Sequence, residues 1–206
     1  MGHEPQRQDR QVDALRVWLF DPSGPAQQFA SQLRKRWASF RNPHAQIQFH
    51  EPVYAGPGFA IDAPAGGTFV AGPGSEFRRG FRAELSGPQA TVSVGSETIF
   101  THEALIQCAS AVSLGAQCQI DQGTLLVDGD FRVRRPGESA AALPHDPHPL
   151  TIGDHVMITT KCTVIADIGS YSMVGANSVV TKPLPAHSLA AGSPAEVIGH
   201  FGPEAR

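Results

Sequence analysis

An apolar residue returns every sixth position over long stretches of this chain. Ile152, Ile158 and Val164 form one run, and Ile168, Val174 and Val180 another. Val94, Phe100 and Ile106 make a third, Leu114, Ile120 and Leu126 a fourth, and Ala71, Phe77 and Ala83 an earlier, weaker one. Glycine follows the apolar residue at Gly95, Gly115, Gly153, Gly169 and Gly175. A helix cannot use this period, because a six-residue step rotates the face away on each repeat. Strands of a sandwich would not hold one period through so many turns. A coil of short strands satisfies it. Each hexapeptide is a strand and a corner, the apolar residue points inward, and three hexapeptides close a triangular turn. Each turn then pairs with the next, so the ends need covering.

The residues outside the period are equally informative. Residues 1–13 read as a polar tail, and ALRVWLF at 14–20 as a short apolar segment of either helix or strand type. Pro25 opens a helix that ends before Pro43. Phe29, Leu33, Trp37 and Phe40 share one face, which is expected to pack on the body behind it. The alternative is a basic helix that touches a membrane or a partner. We divide the chain into a tail and helical cap (1–50), a coil domain (51–201) and a short C-terminal tail (202–206). Within the coil the period is lost from 127 to 150, in VDGDFRVRRPGESAAALPHDPHP, a length that marks a functional loop.

Charge and composition narrow the partners. A net charge of -3 gives no reason to expect nucleic acid. No apolar run is long enough to span a membrane, and the polar start does not resemble a signal peptide. Arg7 stands where a myristoylation site wants Ser or Thr. Cys108, Cys118 and Cys162 lack metal spacing and read as buried thiols, which points to the cytoplasm. No metal is expected.

Residues 92–201 resemble the hexapeptide-repeat acyltransferases, among them galactoside, maltose, serine and xenobiotic acetyltransferases. The ending IGSYSMVGANSVVTKPLPAHSLAAGSPAEVIG carries the likeness: Ile-Gly repeats, Val-Val-Thr-Lys, prolines, then Ala-Gly-x-Pro-Ala. The resemblance implies an all-β left-handed parallel β-helix with a short N-terminal helical cap. It also implies a homotrimer with sites between subunits, and acetyl-CoA or another acyl-CoA as donor. The acceptor would be a hydroxyl or amine of a small molecule or sugar. By the same resemblance Gly175, Ala176 and Asn177 line the pantetheine groove, and Lys182 meets CoA phosphates. Gly192, Ser193, Pro194 and Ala195 shape the cleft.

The family's catalytic histidine has no counterpart. On VDGDFR its place falls to Phe131 or Arg132, neither of which is a neutral base. His145 or His148 at the far end of the loop, or His102 in FTHEALIQC, could replace it. Asp128, Asp130, Arg132 and Arg134 are candidate acceptor contacts, the arginines for anionic groups. The other reading is a β-helical binding or scaffold protein without efficient turnover. His102, His145 and His148 lack the repeat spacing of a zinc-holding carbonic anhydrase coil.

Overall fold

The computed structural model describes residues 24–131 and 145–202. Its strands fall into three main sheets of five, eight and six strands, here A, B and C, plus a two-stranded ribbon. The chain visits A, B and C in turn, and within these three sheets neighbouring strands are parallel except where the last strand returns. The result is a parallel coil, mostly β, with one helix among the described residues.

The six-residue runs name the rungs. Sheet A stacks Ala71 on Val94, Val94 on Leu114 and Leu114 on Ile152. Isolated bridges continue the column to Ile168 and Leu184. Sheet B stacks Ala55, Phe77, Phe100, Ile120, Ile158, Val174 and Ala190. Sheet C stacks Ile61, Ala83, Ile106, Leu126, Val164 and Val180. Every residue of these columns is buried, so the period of six is the period of the core. The N-terminal half of the core is aromatic: Phe59, Phe69, Phe77, Phe81 and Phe100 pack with ring centroids 4.6–6.5 Å apart. The first strand, Ala45–Phe49, already pairs in sheet A, so the coil starts ahead of residue 51.

Two edges are built from left-handed corners. At the A/B edge Glu97, Gln117, His155, Tyr171 and His187 have φ of 54–60°. At the B/C edge Glu103, Lys161 and Asn177 do the same, with Gly123 at φ 69°. Each corner amide donates to a carbonyl one turn earlier, for example Asn177 N–H to Thr160 O at 3.0 Å. Glycine after the rung residue is steric: a Cβ on Gly95 would sit 2.4 Å from the Gly115 carbonyl carbon. The C/A edge is irregular, and the long loop leaves the coil there, between Leu126 in sheet C and Ile152 in sheet A.

The helix, Pro25–Arg41, lies against the first strands of all three sheets, but not on the face expected from its pattern. Its buried residues are Ser31, Lys35 and Ala38, while Phe29, Leu33, Trp37 and Phe40 face outward. The end of a parallel coil explains the inversion. Its first turn presents unpaired backbone groups, which need polar partners. Ser31 Oγ accepts the Ala55 amide at 2.8 Å, and Arg34 Nη1 donates to Ala55 O at 2.8 Å. Lys35 Nζ donates to Val53 O at 2.8 Å and to the Glu51 carboxylate. Asn42, just past the helix, donates to Ile61 O at 2.7 Å and accepts from Ala63 N–H at 2.8 Å. Among the described residues no helix is long and apolar enough to cross a membrane.

Candidate active site

The B/C edge gathers most of the residues expected to hold the donor. Gly175, Ala176 and Asn177 form the corner between Val174 in sheet B and Val179 in sheet C. The strand Ser188–Gly192 runs beside Met173–Val174 and turns through Ser193 and Pro194 into Ala195–His200. That turn falls at the same edge. Gly175 N–H donates to Ala190 O at 2.8 Å, and Gly192 N–H donates to Ser178 Oγ at 3.1 Å. A Cβ on Gly175 would meet the Ala191 Cβ at 3.0 Å. The edge is therefore lined by backbone and small side chains, the surface that a narrow chain of amides could lie against.

Lys182 stands elsewhere. It follows Val180 of sheet C and precedes Leu184 of sheet A, so it belongs to the C/A edge. Lys161 takes the place beside Asn177, because Asn177 N–H bonds Thr160 O, the neighbour of Lys161. Sequence reading missed Lys161. Its signal was the repeat position itself, sixteen residues before Asn177 and with the same positive φ.

The candidate bases divide between edges. His102 is exposed on the B/C edge, where its carbonyl accepts Gly123 N–H at 2.9 Å. It lies three turns before Ala176, or about 14 Å at the spacing of paired strands. His145 and His148 belong to the C/A edge. There Gly129–Phe131 and His145–Pro147 pair as an antiparallel ribbon, with Phe131 opposite His145 and Asp130 opposite Asp146. His148 is exposed at the foot of the ribbon, its amide bonded to Asp128 O at 2.9 Å. Within one chain the three histidines therefore do not converge. Arg132 and Arg134 lie outside the described residues.

Asp128 is fully buried. Its carboxylate accepts Ala109 N–H at 2.9 Å and also the Ser110 amide, tying the loop to the preceding turn. Cys108 Sγ sits 3.5 Å from the same carboxylate. Burial, with the Asp128 charge added, pushes the Cys108 thiol up to about 12. Burial raises Cys118 and Cys162 as well. Among the described residues no three His, Cys, Asp or Glu side chains gather where a metal could sit. On the A/B edge His155, Tyr171 and His187 stack face to face, with centroids 4.6 and 5.1 Å apart. The three residues recur at an interval of sixteen, a signal present in the sequence.

Comparison with known proteins bears on this arrangement. No family model matches the chain. Serine acetyltransferase 4 of Arabidopsis thaliana is 33% identical over 102 residues, 43% of this chain and 28% of that one. Relatives named serine or putative acetyltransferases are spanned over only 25–45% of their length. An N-acyltransferase variant from Bacillus cereus, solved with dTDP and coenzyme A, superposes with a TM-score of 0.63 at 17% identity. That likeness covers 84% of this chain and 89% of the other. The hexapeptide-repeat acetyltransferase of Vibrio cholerae O1 biovar eltor, complexed with acetyl coenzyme A, gives 0.57 at 18% identity, covering 98% and 92%. These two likenesses show the fold, a coil of hexapeptide repeats. Together with the curated relatives they make the chain similar to the hexapeptide-repeat acyltransferases.

Proposed function

We propose that the chain is an acyl-CoA-dependent O- or N-acyltransferase, with acetyl as the acyl group, acting on a hydroxyl or amine of a small molecule or sugar. The observation that carries the reading is the side-chain-poor B/C edge, where Gly175, Asn177 and the Gly192–Ala195 turn converge. Pantetheine would lie along it. Lys161 would meet phosphates there, in place of Lys182. The coil is read as left-handed, the helix as its N-terminal cap, and the cytoplasm as the location.

The division of the histidines favours a homotrimer. A site built from the donor edge of one subunit and the ribbon of the next would bring His145 or His148 to the thioester. A neutral imidazole takes the acceptor's proton as its oxygen or nitrogen attacks the thioester carbonyl. Collapse of the tetrahedral intermediate expels the CoA thiolate, which recovers that proton from the imidazolium. Backbone N–H groups are suited to hold the oxyanion.

A second reading, a catalytically impaired binding or scaffold protein, is favoured by Phe131 and Arg132 at the family's histidine position. Calorimetric titration with acetyl-CoA tests the donor site first. Saturable binding near one site per subunit supports the acyltransferase reading, and absence of binding transfers the lead to the scaffold. With donor binding in hand, His145→Ala, His148→Ala and His102→Ala separate the bases by rate.

A further inference from the structure

We infer that the outer face of the helix is a docking surface for an anionic lipid bilayer. Phe29, Leu33, Trp37 and Phe40 are 67%, 52%, 59% and 75% exposed, and Trp37 stacks on Phe40 at 5.7 Å. At about 100° per residue these four span an arc of about 80°. Arg36 lies about 20° beyond one border and Arg41 about 40° beyond the other. Both arginines are exposed. An aromatic and aliphatic stripe between two cations is the pattern of a helix that lies in the plane of a membrane interface. The arginines would reach phosphates while their stems stay beside the acyl chains.

Charge selects this occupant over the alternatives. The helix holds four of the chain's sixteen Lys and Arg and none of its nineteen Asp and Glu, in a chain of net charge -3. Lys35 is committed inward to Glu51 and Val53, so the cations left on the outer side answer to no acid of the helix. A second copy would set two such basic helices against each other. Residues 14–20, ALRVWLF, could also cover the stripe, but the one charge within them is a cation, Arg16, with acids only at the flanking Asp13 and Asp21. The inverted packing of the helix gives the face its direction. Its polar side is held by the first turn of the coil, so the stripe points away from the body.

Co-sedimentation of the full chain with vesicles tests the assignment. Vesicles of phosphatidylcholine containing one third phosphatidylglycerol should carry the protein down at low salt, and pure phosphatidylcholine much less. Arg36→Gln and Arg41→Gln should each weaken binding about fivefold. The double variant Trp37→Ser with Phe40→Ser should lose it while keeping its circular dichroism spectrum. Trp18 and Trp37 are the two tryptophans. Trp18→Phe therefore reports on Trp37 alone, whose emission should be that of exposed indole without lipid and shift to the blue with anionic vesicles. No binding, or binding untouched by these variants, would overturn the inference. So would blue-shifted emission without lipid. Deletion of residues 1–20 and dilution would then tell the chain's own segment from a second copy. Acetyl-CoA titration reads a different edge of the coil, so either result leaves the acyltransferase reading where it stood.

Discussion

Both carboxylate oxygens of Asp128 lie 2.9 Å from the amide nitrogen of Ala109, one turn of coil away. The bond joins the start of the long loop to the preceding C/A corner. Asp128→Ala would leave the Ala109 and Ser110 amides without that acceptor, at a cost of about 2–4 kcal/mol in urea denaturation. Asp128→Asn, which keeps one acceptor, should cost less. If Asp128 acted instead on the acceptor, both variants would keep wild-type stability and raise KM.

The three thiols should resist alkylation in the native protein. All are buried, and burial holds Cys108 near 12. Iodoacetamide at pH 8 should label none of them until denaturant is added, as mass spectrometry would read. Linkage fixes a further sign. Above the ordinary thiol value of 9.0 the unfolded chain loses the Cys108 proton while the folded chain keeps it. Stability should therefore fall between pH 9 and about 12, and less so in Cys108→Ala. An unchanged alkaline slope in that variant would remove Cys108 as its source.

Glycines at corners divide by what stands behind them. Gly95→Ala would drive its Cβ to 2.4 Å from the Gly115 carbonyl, so we expect a loss of more than about 4 kcal/mol or insoluble protein. A Cβ on Gly87 meets nothing within 4 Å, and Gly87→Ala should stay within about 0.5 kcal/mol of the parent. Thermal melts of the pair would compare the two.

Lys35 is 3% exposed, and its ammonium depends on Glu51 and Val53 O. Burial raises the Glu51 carboxyl, but bonds from Lys35 and the Val53 amide outweigh it and hold the net value below the usual range. The resulting stability is present above the ordinary value of 4.5 and fades as pH falls through the lowered folded value. Because Glu51 is half exposed, Glu51→Gln should cost only about 1–2 kcal/mol near neutral pH. Its acid limb should be shallower than that of the parent.

The columns of the core were legible because one residue in six meets the same neighbours in every turn. Ile152, Ile158 and Val164 announce their rungs by spacing alone. The first turn, Phe49, Ala55 and Ile61, obeys the same period but hid behind the proline-rich texture around it. The direction of the helix was not legible. Amphipathic patterning assumes that the body behind a helix is apolar, whereas here it is the polar rim of a coil, and Ser31, Lys35 and Asn42 answer it. The ending motif named Gly175, Asn177 and the Gly192–Ala195 turn together, and they do share the B/C edge. The separation of Lys182 from Asn177 could not be read, because proximity in sequence hides the width of sheet C between them. The depth of Asp128 could not be read either, since a buried carboxylate and a substrate ligand look alike in VDGD.

The ribbon at the C/A edge leaves the stacking of the turns undisturbed: Leu126 still meets Val164, and Ile120 still meets Ile158. In evolutionary terms, the two ends of the loop are neighbours across one strand pair, about 5 Å apart. Any insert that begins and ends at that separation can be exchanged without renegotiating the core. Selection can therefore rewrite the loop without disturbing the edge across sheet C, and under the proposed acyltransferase reading acceptor and donor preference would be free to diverge at different speeds.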